Sequence, residues 1–170
     1  MIFSIASRTL VLLVALAACD APSSVAGACR HRIGIGSGDV SAALNTRTSE
    51  ERTVQGDAQT CQFVISGPTT VDVSVRPGMG RVTVSSWIRG RMPLAAAAVN
   101  GVGDYAVWQP QLRELIAEQN DLLCDVTLSA DNTKESADSV RDRAGALCTM
   151  VFASARNANT PVAGNHSTRR

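Results

Sequence analysis

The sequence predicts an α+β domain: an antiparallel sheet, built as a meander plus a hairpin, with a short N-terminal helix and a long C-terminal helix packed on one face, and two disulfides. Three observations predict it. Val71, Val73 and Val75 alternate with Thr70, Asp72, Ser74 and Arg76, the period of two that marks a strand with one buried face. Val140, Ala144, Leu147, Cys148, Val151 and Ala155 share one apolar face of a helix over 137–156, with Arg141, Asp142 and Arg143 turned to water. Four cysteines, Cys29, Cys61, Cys124 and Cys148, remain once Cys19 is set aside, and an even number in an oxidising compartment reads as two bridges.

Cys19 is set aside because of what precedes it. Arg8 is a positive flank, and residues 9–18 form an apolar run around Leu10, Val11, Leu12, Leu13, Val14 and Leu16. About ten residues is the length of a signal-peptide core, short of the ~20 that a spanning helix needs. Leu16-Ala17-Ala18-Cys19 then resembles the bacterial lipobox, whose two small residues fit the tight pockets of the signal peptidase and whose thiol takes the lipid. Ala26-Gly27-Ala28 offers an ordinary cleavage site instead, but it lies further from the apolar run than such sites usually stand. Lipidation at Cys19 is the expectation. It divides the chain into a signal at 1–18, a flexible tether at 19–28, one domain at 29–156 and a disordered tail at 157–170.

Within the domain the elements follow in order. Residues 30–38 are polar and Gly-rich, and a short helix at 40–45 uses Val40, Ala43 and Leu44, with Ser37 or Asp39 as its N-cap. Residues 46–60 read as loop. Cys61, Phe63 and Ile65 point inward on the first strand, Val71, Val73 and Val75 on the second, and Val82 and Val84 on a return strand at 81–85 after the Pro77-Gly78-Met79-Gly80 turn. That meander should have one wet face. Residues 94–99 suggest one or two helical turns. Residues 111–129 carry both a helix stripe (Leu112, Leu115, Ile116, Gln119, Leu122, Leu123) and a hairpin pattern. The hairpin is preferred, 112–118 with 122–129 around Asn120-Asp121, with Cys124, Val126 and Leu128 inward. Thr133 or Ser136 can cap the long helix.

Four cysteines allow three connectivities. The placements select Cys29–Cys61 and Cys124–Cys148, each bridge tying a helical region to the sheet. The features carrying a further likeness are Cys29, Cys61-Gln62-Phe63, Gly101-Val102-Gly103-Asp104-Tyr105-Ala106-Val107-Trp108, Cys124 and Cys148. In this order, behind a lipobox, they resemble small bacterial envelope lipoproteins abundant in actinobacteria, similar to the extracellular sensor domains of some mycobacterial receptor kinases. The resemblance implies a two-disulfide α+β domain and no catalytic residue. The chain departs from it by inserting residues 30–36 between the first cysteine and the helix.

Composition narrows the function classes. The formal net charge is +1 and Arg8 leaves with the signal, so no basic field argues for nucleic acid. Gly34-Ile35-Gly36-Ser37-Gly38 superficially resembles a phosphate loop, but no Lys-Ser/Thr pair follows. The two histidines, His31 and His166, have no partner in sequence for a catalytic or metal role. Glu114, Glu118 and Asp121 read as solvated carboxylates. Trp87, Arg89 and Arg91 form the candidate partner-binding surface, since Trp and Arg are enriched at interface hot spots. The expected function is a non-catalytic binding module for a protein or envelope component, held to the membrane through the N-terminal lipid, with no cofactor or metal. The alternative is an immunity or inhibitor lipoprotein that blocks an envelope-targeting enzyme; an enzyme is a third class.

Overall fold

Alternation at period two sends successive side chains to opposite faces, and the sheet follows that rule strand by strand. The computed structural model describes residues 27–54, 59–65, 69–78, 85, 96–129 and 135–159. Among them are seven strands: β1 (Glu50–Thr53), β2 (Thr60–Val64), β3 (Thr70–Pro77), β4 (Ala97–Ala98), β5 (Tyr105–Gln109), β6 (Glu114–Gln119) and β7 (Leu122–Ser129). They form one sheet in the order β1-β2-β3-β7-β6-β5-β4, every neighbour antiparallel. Three helices accompany it: α1 (Ala28–Ile33), α2 (Ser37–Leu44) and α3 (Ala137–Asn159). The α+β class, the antiparallel sheet and the long C-terminal helix are as the sequence predicts.

The valines and the helix stripe meet as expected. Phe63, Val71, Val73, Leu115 and Val126 are fully buried in one cluster with Val140, Ala144, Leu147 and Val151. Cys29 and Ile33 of α1 and Val40 and Leu44 of α2 belong to the same cluster, so all three helices cover one face of the sheet. Each such side chain contributes about 1.5–3 kcal/mol by leaving water. Both disulfides have the expected pairing: Cys29–Cys61 joins α1 to β2 with Cα atoms 5.9 Å apart, and Cys124–Cys148 joins β7 to α3 at 5.6 Å. On loop-entropy grounds each adds roughly 3–4 kcal/mol.

Several expectations need correction. Residues 30–33, read from sequence only as polar and Gly-rich, are helix: Cys29 and Ile33, four apart, bury one side of α1, and Gly34 ends it at φ 81° with its N–H on the Arg30 carbonyl. Neither Ser37 nor Asp39 is the N-cap of α2. Gly36 holds that place, and Asp39 instead accepts the Gly36 N–H at 2.8 Å. Residues 50–53 form β1 although Glu-Glu-Arg-Thr has no apolar alternation; backbone pairing with β2 makes the strand. The Arg52 guanidinium hydrogen-bonds Glu50 on this outer strand and holds its carboxyl below the usual range, a charged edge of the kind that discourages further pairing. The return strand at 81–85 has only Ser85 among the described residues, and β2 and β7 already flank β3. Residues 97–98 are strand paired to β5 rather than helix.

The second hairpin does form, around Asn120 and Asp121 at φ 51° and 63°, the left-handed pair that a two-residue hairpin turn requires. α3 starts where expected, with Ser136 accepting the Ser139 N–H, and runs three residues past 156. Ala28 likewise belongs to α1 rather than to the tether. The face away from the helices is not uniformly wet. Val107, Ile116 and Leu123 form a second buried cluster there, and Glu114 and Glu118 are buried beside it at 4% and 7% exposure. Here β5, β6 and β7 are covered on both faces, whereas the alternation in β3 suggested one.

Candidate functional site

A cleft of about 270 Å³ opens at one end of the sheet, lined by Pro77, Gly78, Gln119, Asn120, Asp121, Leu122, Phe152, Ala155 and Arg156. Three elements meet there because of their directions. β3 ends at Pro77 opposite Leu122, β6 turns into β7 at Asn120-Asp121, and α3, running antiparallel to β7, brings its last turns over the same end. Phe152 is buried, and with Leu122, Pro77 and Ala155 it makes an apolar floor. Asn120, Asp121 and Arg156 are exposed around it. The result is a depression of mixed polarity, with one carboxylate and one guanidinium at its rim.

The walls are held by hydrogen bonds that leave little freedom to the turn. Asp104 accepts the Asn120 N–H at 3.0 Å, Glu118 accepts the Asp121 N–H at 2.9 Å, and the Asp121 carbonyl accepts the Gly78 N–H at 2.9 Å. Asp104 is itself placed by its N–H on the Glu118 carbonyl at 2.8 Å. Gly103, at φ 61°, makes this possible. A Cβ there would overlap the Glu118 carbonyl oxygen and stand 3.0 Å from the Phe152 ring. The Gly-x-Gly-Asp stretch of the sequence therefore buttresses the cleft from behind, through close backbone approach at Gly103 and a carboxylate cap at Asp104.

The residues singled out from sequence scatter. Cys19, Trp87, Arg89, Arg91 and His166 lie outside the described residues. His31 is exposed on α1. Glu114, Glu118 and Asp121 do not converge as a set: the first two face away from the helices on β6, and Asp121 sits in the turn. The expectation that all three are solvated holds for Asp121 alone. Two N–H donors of the glycine loop before α2, those of Gly36 and Ser37, are already engaged by protein carboxylates. Asp39 accepts the Gly36 N–H, and Glu51 accepts both the Ser37 N–H at 3.0 Å and the Cys29 N–H at 2.8 Å. Those are the groups a phosphate would need. Among the described residues no cluster of three His, Cys, Asp or Glu side chains has metal-binding geometry.

Sequence reasoning found the Asn120-Asp121 turn but not the cleft beside it, because Phe152 and Arg156 come from a helix more than thirty residues downstream. Compared with known proteins, the chain matches no family model, no curated protein and no solved structure.

Proposed function

We propose that this chain is an envelope lipoprotein, anchored by an acyl chain on Cys19, whose domain is a non-catalytic binding module for a protein or other envelope component. We place it with the small envelope lipoproteins that its cysteine spacing and Gly-x-Gly-Asp segment resemble. The observation that carries the binding reading is the pre-formed cleft between the β6–β7 turn and the end of α3. Its turn is locked by Asp104 and Glu118, so little ordering cost remains to be met on binding. Its described lining holds no Ser, Thr, Cys or His, so it suits recognition better than nucleophilic chemistry or proton transfer by a histidine. The anchor reading is supported by the lipobox, nine residues ahead of α1. No described helix is long and apolar enough to cross a membrane.

A photo-crosslinking residue at Gln119, on the cleft, compared with one at Asp142, on the exposed side of α3, tests the module. One stoichiometric partner should be captured from membranes through position 119 and not through 142. Equal capture at both positions, or none, refutes the cleft as the recognition site. In parallel, Cys19→Ser should abolish palmitate labelling, and continued incorporation refutes the anchor.

A further inference from the structure

α1, the first described element, turns a basic surface outward. Cys29 and Ile33 bury one side of this helix, and Arg30, His31 and Arg32 between them are exposed. At about 100° per residue the three cover the arc opposite the core, and α1 contains no acidic residue. Two carboxylates bond to α1, and both are engaged. Asp39 is shared between the Gly36 N–H and the Arg30 guanidinium at 2.7 Å, and Glu51 accepts the Cys29 and Ser37 N–H groups. Asp39 thus offsets one charge, yet Arg30 keeps 59% of its side chain exposed. The side chains of His31 and Arg32 have no ion pair or hydrogen bond among the described residues.

The position of α1 along the chain says what this surface meets. Ala28 follows Cys19 by nine residues, a span of at most ~32 Å. α1 is fixed to the sheet, because Cys29–Cys61 ties it to β2 and Glu51 holds its first turn. With an acyl chain on Cys19 seated in a bilayer, that short span keeps Arg30 and Arg32 beside the lipid headgroups at high effective concentration. A guanidinium takes phosphate oxygens in a fork and is drawn into the negative surface potential of anionic lipids. An acidic protein would have to compete with that surface from solution.

We propose that the exposed side of α1 is a membrane-docking face, with Arg30 and Arg32 on the phosphates of anionic lipids in the bilayer that carries the Cys19 anchor. The inference rests on the anchor reading and adds an orientation to it: the domain lies with α1 against the bilayer instead of tumbling freely beside it.

The test incorporates the mature lipidated chain into phosphatidylcholine vesicles, with or without phosphatidylglycerol. Arginines are then labelled with phenylglyoxal and read by mass spectrometry. At about 0.1 M salt, where charges act over ~10 Å, Arg30 and Arg32 should be labelled several-fold more slowly on the anionic vesicles. Arg143 on α3 should be labelled at one rate on both. Near 1 M salt, with a screening length of ~3 Å, the difference should vanish. In the Arg32→Glu chain, changed at an exposed position, Arg30 should lose its protection, and in Arg32→Gln part of it. Flotation with the vesicles separates the two readings. A chain that floats with both kinds of vesicle but shows equal labelling of Arg30 and Arg32 overturns the docking face and leaves the anchor standing. Equal slowing at Arg143 overturns the docking face as well. A chain that floats with neither overturns the anchor and the docking face together.

Discussion

Replacing Gly103 by alanine adds one methyl group where two parts of the backbone approach most closely among the described glycines. The magnitude is the sum of three costs. The first is conformational: at φ 61° an alanine is strained by about 1–2 kcal/mol. The second is steric, because the new Cβ would overlap the Glu118 carbonyl oxygen and press on Phe152 at 3.0 Å. Relief requires β6 or the 101–104 segment to shift, at about 1–3 kcal/mol. That shift also strains the Asp104 N–H bond to the same carbonyl, worth about 1 kcal/mol.

Gly103→Ala should therefore cost about 3–6 kcal/mol. Gly101 is the internal control: it has φ 83° and nothing within 4 Å of its would-be Cβ, so Gly101→Ala should cost only the conformational 1–2 kcal/mol. Urea unfolding with both disulfides intact, followed by far-UV circular dichroism, measures the difference at constant slope. Equal losses at the two glycines would refute the close-approach argument and, with it, the account of how the cleft is buttressed.

Two further predictions test the sheet phase and the helix junction. Val73→Asp would bury an unpaired carboxylate at a position with 0% exposure and should cost about 3–5 kcal/mol. Asp72→Ala, which loses only the hydrogen bond from Gln62 Nε2 at 2.9 Å, should cost about 0.5–1.5 kcal/mol; equal losses in the same unfolding assay would overturn the assigned faces. Glu51→Ala should cost about 2–4 kcal/mol, because one carboxylate accepts backbone N–H groups at the starts of both α1 and α2. Hydrogen exchange should speed up at Cys29 and Ser37 in that variant and stay unchanged at Val126, and loss of protection at Val126 alone would contradict the assigned contacts.

Much of the frame was legible in the chain because it depends on local periodicity. Val71, Val73 and Val75 are buried, the stripe from Val140 to Val151 faces the sheet, and the two bridges pair as the element placements required. In each case a side chain's partner type follows from its own neighbours at spacing two or spacing three to four. Asn120-Asp121 belongs with these, since a left-handed pair between two strands is a local property of the turn.

What the sequence by itself determined, then, is the set of faces that must be covered on the helix side: the strand phase of β2, β3 and β7, the apolar stripe of α3, and the cysteines that sit on them. Only the tertiary structure decided what lies next to what. β1 is a strand because β2 offers it an unpaired edge and because Glu51 caps two helices from there, neither of which its Glu-Glu-Arg-Thr sequence announces. β7 rather than a local return strand flanks β3, and that choice carries β4 to the far edge and a long connection with it. Glu114 and Glu118 are buried although their alternation with Leu115 and Ala117 turns them away from the helices. The cleft arises where β3, the β6–β7 turn and the end of α3 converge. Periodicity acts over a few residues, whereas sheet order and cleft each depend on chain segments brought together from tens of residues apart.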